Sequence, residues 1–189
     1  MGLRCFISIE LPEELKKIIY MHIERLKATG ADVKWVPQEN LHLTLKFLGS
    51  TREELLKDIN ERLTALAEMH DRFSIHLSGS GVFPNMKHPR VIWFGMHDSD
   101  EVIKLQHEID ESMAELGFER DDKKFTPHLT IGRVRSPKNK DALMREIATL
   151  KEVDFGKIDV NNITLMRSEL KPHGAEHFKI NEVPIGKRR

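Results

Sequence analysis

The pentapeptide Leu41-His42-Leu43-Thr44-Leu45 returns later in the chain as Pro127-His128-Leu129-Thr130-Ile131. Each copy sets a His and a Thr two positions apart among aliphatic residues. On a strand, side chains two apart share a face. His42 and Thr44 are therefore expected to point one way, with Leu41, Leu43 and Leu45 behind them. His128 and Thr130 repeat the arrangement, backed by Leu129 and Ile131. The fold must then provide two half-buried strands, each with an imidazole and a hydroxyl on its open face.

The surroundings of the two copies repeat as well. Leu3 to Ile9 reads as a buried strand, and Pro12 opens a helix with Leu15, Ile18, Ile19, His22 and Leu26 at helical spacing. His22 on that face reads as a packed histidine. Val33-Lys34-Trp35-Val36-Pro37 leads into the first motif strand, roughly Leu41 to Leu48, which Gly49 should end. Thr51-x-x-Glu54 has the pattern of a capping box for a helix lined by Leu55, Leu56, Ile59, Leu63 and Leu66. Phe73 to Phe83 and Val91 to Met96 read as strands joined by a short loop. Asp98 or Ser99 should cap a helix bearing Val102, Leu105, Ile109, Met113 and Leu116. The second motif strand runs roughly from Pro127 to Arg135, and Ser136-Pro137 should start a helix lined by Leu143, Ile147 and Leu150. Val153 to Ile158, Asn162 to Ser168 and His177 to Asn181 complete the predicted strands.

Motif strand, helix, strand is thus written twice, which indicates a degenerate duplication into two α+β lobes with the motif strands facing each other. Strands separated by helices are also compatible with a parallel sheet. The short connection between Phe83 and Val91 favours antiparallel pairing at least there.

Lys plus Arg number 30 and Asp plus Glu number 30. This balance argues against long-range, unspecific attraction to nucleic acid, while leaving room for a local basic cleft. Hydrophobic residues at 39% and charged residues at 32% describe a globular chain. The single cysteine, Cys5, excludes an internal disulfide, so a cytoplasmic location is expected. The first residues have no signal-peptide pattern, and no apolar run approaches the ~20 residues of a membrane span. Lys187-Arg188-Arg189 reads as a solvated tail.

Two imidazoles across one cleft suit phosphoryl chemistry. A neutral His takes a proton from an attacking water, and a protonated His gives one to the leaving oxygen. Hydroxyls can donate to the non-bridging oxygens, where charge sits in the transition state. The scheme needs no metal and no other cofactor. A single His-x-Thr would be ordinary strand sequence; its repetition on two aliphatic strands is what points to a site. His plus Thr is a poor ligand set for zinc.

These residues carry a resemblance. The chain resembles the 2H phosphoesterases, and within them more closely the RNA 2′,3′-cyclic phosphodiesterases, long called 2′-5′ RNA ligases. The similarity runs through Arg4-Cys5-Phe6-Ile7-Ser8-Ile9, Trp35 to Gly49, Gly81-Val82-Phe83-Pro84, Pro89 to Trp93, Phe125 to Arg133 and Arg167-Ser168-Glu169-Leu170. One position departs: relatives commonly carry Tyr shortly after the glycine that is here Gly174, where this chain has His177.

The resemblance implies a single bilobal α+β domain across residues 1–189, with two antiparallel sheets flanking a central cleft and helices outside. It implies hydrolysis of a terminal RNA 2′,3′-cyclic phosphate to a 2′-phosphomonoester. His42 is expected as proton donor to the leaving O3′ and His128 as the base that activates water. Thr44 and Thr130 are expected to hold phosphoryl oxygens. Arg133 joins them as a phosphate ligand if Gly132 bulges the strand and turns it toward the cleft. Arg90 is a lesser candidate, and Phe83, Trp35 and Trp93 are expected in the core. The expected partner is an RNA end, tRNA fragments included, met by a monomer away from membranes. Reversal of the chemistry would join a cyclic end to a 5′-hydroxyl, and an RNA-end binding module without chemistry is the reading from another class. No Gly-x-x-x-x-Gly-Lys supports ATP-driven ligation.

Overall fold

A computed structural model describes residues 2–172 and 174–186; the Lys187–Arg189 tail lies outside them. The strands are β1 (Leu3–Glu10), β2 (Val33–Trp35), β3 (His42–Thr51), β4 (Phe73–Phe83), β5 (Val91–His97), β6 (His128–Val134), β7 (Asp154–Val160), β8 (Asn162–Lys171) and β9 (Gly174–Pro184). The helices are α1 (Glu13–Lys27), α2 (Leu55–Met69), α3 (Asp100–Ala114) and α4 (Lys140–Thr149). They form an α+β fold of two sheets, with orders β3-β1-β8-β9 and β2-β6-β5-β4-β7. Every pairing is antiparallel, so the parallel alternative is excluded.

The duplication is visible in the connectivity. Each motif strand lies beside the strand that precedes it by one helix: β3 beside β1, β6 beside β5. Helices after the motif strands stay on their own sheets, α2 against β8 and β9 and α4 against β4. The helices before them cross over: α1 follows β1 yet packs on β7, and α3 follows β5 yet packs on β3. This exchange interleaves the halves around one continuous core that includes Ile7, Leu43, Phe94, Leu129 and Ile131. The two motif strands themselves, β3 and β6, come into contact where the sheets meet.

Several local expectations need correcting. Gly49 does not end β3; its positive φ of 66° serves an irregularity, and the strand continues to Thr51. Thr51 is buried at the strand end and its hydroxyl donates to the Gly49 carbonyl, so no capping box forms. Helix α2 starts behind Glu54 without a side-chain cap. Likewise Ser136-Pro137 lies before α4 rather than capping it; Asn139, in the left-handed region at φ 52°, holds that place. On α1, Ile23 is buried and Ile18 is exposed, reversing the predicted stripe at that turn. Val33–Trp35 is more than a lead-in to β3: it is an edge strand of the other sheet, paired with β6.

Candidate active site

The open face of β3 carries His42 and Thr44, as the alternation predicts, while Leu43 and Leu45 are buried. His42 Nδ1 lies 2.7 Å from the carbonyl of Asn40, two residues back. An N–H must stand there, since a carbonyl only accepts. The other nitrogen, Nε2, is 3.0 Å from the Thr44 hydroxyl. Asn40 is itself fixed, its side-chain amide donating to the Ala175 carbonyl of β9 at 2.8 Å. The His42 ring stacks on Phe6 of β1 at 4.8 Å and meets the His177 ring edge-on at 5.2 Å.

The second copy has the same construction. His128 Nδ1 lies 2.6 Å from the carbonyl of Thr126, again two residues back. A phenylalanine again contacts the ring: Phe83 of β4, edge-on at 5.0 Å. In both histidines the hydrogen bond at Nδ1 leaves Nε2 as the nitrogen free to accept a proton. The copies differ in enclosure. His42 sits between two aromatic rings, whereas Phe83 is the ring that His128 touches among the described residues.

Each motif strand then breaks its alternation at the same place. Ser8 pairs with Thr44 and Ile7 with Lys46, leaving Leu45 as an extra residue. Trp93 pairs with Thr130 and Ile92 with Gly132, leaving Ile131 as the equivalent extra residue. A bulge reverses which side later residues face. Leu45 and Lys46 are both buried, and so are Ile131 and Gly132. Arg133 consequently pairs with Val91, two residues from Trp93, and stands exposed on the face of His128 and Thr130. On β3 the equivalent position is Phe47, also exposed.

Phe83 and Trp93 are not core residues as expected. They are half-buried beside His128, with ring centroids 5.2 Å apart. Gly81 makes this possible, because a Cβ there would come within 2.3 Å of the Trp93 indole. Trp35 does pack on the core, over Gly132. His22 is packed as predicted, edge-on to Phe155 at 5.1 Å. His177, the departure noted in sequence, could be placed beside His42 only once β9 was known to reach it.

Burial pushes His42 down to about 4; His177 and Lys16 add to this, and the Asn40 carbonyl opposes it. An unfolded His titrates near 6.5. Above that pH neither state binds the proton and no stability is lost. As pH falls from 6.5 toward 4, the unfolded chain is protonated first and stability declines, by at most about 1.4 kcal/mol per pH unit for one such group. His177 and His22, also lowered by burial, act in the same direction. The His42→Gln protein is expected to lose less stability across this window in urea melts. Equal losses in parent and variant would show that His42 carries none of the effect.

A two-sheet α+β fold with paired His-x-Thr strands defines a class, and comparison with known proteins gives the family. The chain belongs to the 2′-5′ RNA ligase superfamily, whose family model matches residues 12–172. It is 38% identical over 180 residues to the RNA 2′,3′-cyclic phosphodiesterase of Methanocaldococcus jannaschii, covering 95% of this chain and 99% of that one. It is 37% identical over 174 residues to the protein of the same name from Methanothermobacter thermautotrophicus, covering 92% and 94%. A crystal structure from Thermus thermophilus superposes with a TM-score of 0.80 at 29% identity, covering 98% of this chain and all of that one. No helix of the described residues is long and apolar enough to cross a membrane.

Proposed function

We propose that this protein hydrolyses the terminal 2′,3′-cyclic phosphate of RNA to a 2′-phosphomonoester. The observation that carries the reading is the doubled histidine: two rings, each tied at Nδ1 to the carbonyl two residues back, on strands that touch across the two sheets. Relatives at 37% and 38% identity bear the name of this activity. Neutral His128 takes a proton from water through Nε2. The water oxygen bonds to phosphorus as the bond to O3′ breaks, and His42 Nε2 delivers a proton to O3′. Thr44 and Thr130 donate to the non-bridging oxygens, and Arg133 adds its planar cation from the same face as His128. Free His42 is neutral at pH 7. Its proton therefore arrives together with the phosphate anion, which favours the charged ring. The two sheets act as the lobes of one domain, a monomer in the cytoplasm working on RNA ends such as those of tRNA fragments.

The test is one reaction. A short RNA ending in 2′,3′-cyclic phosphate is incubated with the protein in EDTA, and the product is identified by mass and phosphatase sensitivity. A 2′-phosphate is expected. A 3′-phosphate would reverse which oxygen leaves. No product, even with a 5′-hydroxyl acceptor added, would reject the enzyme reading.

A further inference from the structure

The duplicated frame is unequal in one respect. One sheet has four strands and the other five. The surplus is β2, on the outer side of the motif strand β6; β3 is an edge with no such neighbour. Strand β2 sets Lys34 directly opposite Arg133 and therefore on the same face. Arg135 follows Arg133 by two positions, its amide held by the Asp32 carbonyl at 2.9 Å. Arg90 falls opposite Val134, its carbonyl accepting from the Val134 amide at 2.9 Å, and so belongs to the other face.

Lys34, Arg133 and Arg135 are exposed, and among the described residues none of them makes an ion pair. Some cations elsewhere are engaged, among them Lys16 with Glu13, Arg25 with Glu146, Lys46 with Asp110 and Lys179 with Glu10. Asp32, which the register sets opposite Arg135, makes no ion pair among the described residues either. The chain has zero net charge, so three unpaired cations on one face mark a local field rather than a basic protein. Lys34, Arg133 and Arg135 continue the line of His128 and Thr130 beyond the bulge. The matching stretch of the other motif strand offers Phe47 and Gly49 instead.

We propose that Lys34 and Arg135, beyond the Arg133 that meets the reacting phosphate, form a phosphate track that holds the RNA backbone on the 5′ side of the reacting end. The proposal rests on the cyclic phosphodiesterase reading, because a 3′-terminal cyclic phosphate at His128 leaves the rest of the strand only a 5′ direction to run. At about 3.3 Å per strand residue, Arg133 and Arg135 lie about 16 and 23 Å along the strand from the histidine, the latter a few nucleotides away. Contacts to phosphates fix register and carry no base preference. The track thus selects for an oligonucleotide over a cyclic mononucleotide, without regard to sequence.

The test pairs two substrates with the Lys34→Gln/Arg135→Gln protein. For an RNA hexamer with a 2′,3′-cyclic end, kcat/KM is expected to fall about tenfold or more at low salt. For a 2′,3′-cyclic mononucleotide the loss should be smaller by at least about threefold. Anisotropy titrations of a labelled hexamer ending in a 3′-phosphate provide a second readout that needs no turnover. The slope of log K against log salt should become shallower by about 0.7 for each contact removed. Equal losses on the two substrates, or an unchanged salt slope, would overturn the track. If the parent turns over neither substrate, the enzyme reading fails, and the salt slope alone still decides whether RNA lies on these residues.

Discussion

Hydrolysis of a 2′,3′-cyclic RNA end is expected to slow by about 10²–10⁴-fold in the His128→Ala protein, the range that one general acid or base supplies. The fold should survive, because the ring is partly open and its described contacts are the Thr126 carbonyl and the edge of Phe83. The His42→Ala protein should lose a similar factor, with some loss of packing where Phe6 and His177 meet the ring. These two variants alone do not say which histidine is the acid. A substrate with sulfur in place of the bridging 3′ oxygen does. A thiol has a pKa near 8.5, so its anion leaves without a proton, whereas an alkoxide does not. On that substrate the His42→Ala protein should recover most of its activity and the His128→Ala protein should not. Recovery by the His128 variant instead would exchange the two roles. Full activity of either variant on the ordinary substrate would remove that histidine from the mechanism.

Loss of the Lys46 ammonium is expected to be the most damaging change away from the histidines. Lys46 follows the bulged Leu45 of β3 and is buried, 1% exposed. Its ammonium bonds the Asp110 carboxylate of α3, donates to the Glu119 carbonyl at 2.8 Å and lies 3.5 Å from Asp121. Burial works to raise Asp110, yet Lys46, the Asp121 amide and Arg120 together hold its carboxyl below the usual range. Removing one partner of a buried pair leaves the other charge uncompensated, at a cost of about 3–5 kcal/mol. The Lys46→Ala protein should therefore melt about 6–20 °C lower, at 2–4 °C per kcal/mol for a chain of this size. Replacing both partners, as Lys46→Met with Asp110→Leu, should return part of that stability. A Lys46→Ala melting point within a degree or two of the parent would mean that the pair contributes nothing net. Lys46 also ties the first motif strand to the segment that leads into the second, so the variant should lose activity even below its melting point.

The sequence made the faces of His42, Thr44, His128 and Thr130 legible because a period of two is local. The bulges at Leu45 and Ile131 were harder. Lys46 follows an alternating run and is expected outside, and only pairing with β1 shows that it turns inward. The possibility that Arg133 is re-aimed could be raised from Gly132, but its confirmation needed the register against β5. Gly49 reads as a stop because a glycine at positive φ inside a strand and a glycine that ends one look alike. Thr51-x-x-Glu54 and Ser136-Pro137 show the same limit: capping patterns are short, and strand pairing at Thr51 outweighed one of them. Long-range partners left no local trace. Nothing in Val33–Trp35 announces that it pairs a hundred residues later, or that β9 brings His177 against His42.

The order in which the sheets close bears on how the molecule is made. Every strand of the five-stranded sheet has left the ribosome once β7 ends at Val160. The four-stranded sheet begins with the first strand of the chain, yet β1 lacks its second neighbour until β8, residues 162–171, emerges. Ala175, which anchors Asn40 and through it the His42 ring, comes later still. A nascent or truncated chain ending near residue 160 thus owns a finished strand bed for His128 and an open, hydrogen-bond-hungry edge beside Phe6 and Ile7. The first-made histidine is the last to be set in place, so chemistry is withheld until β8 and β9 have been made.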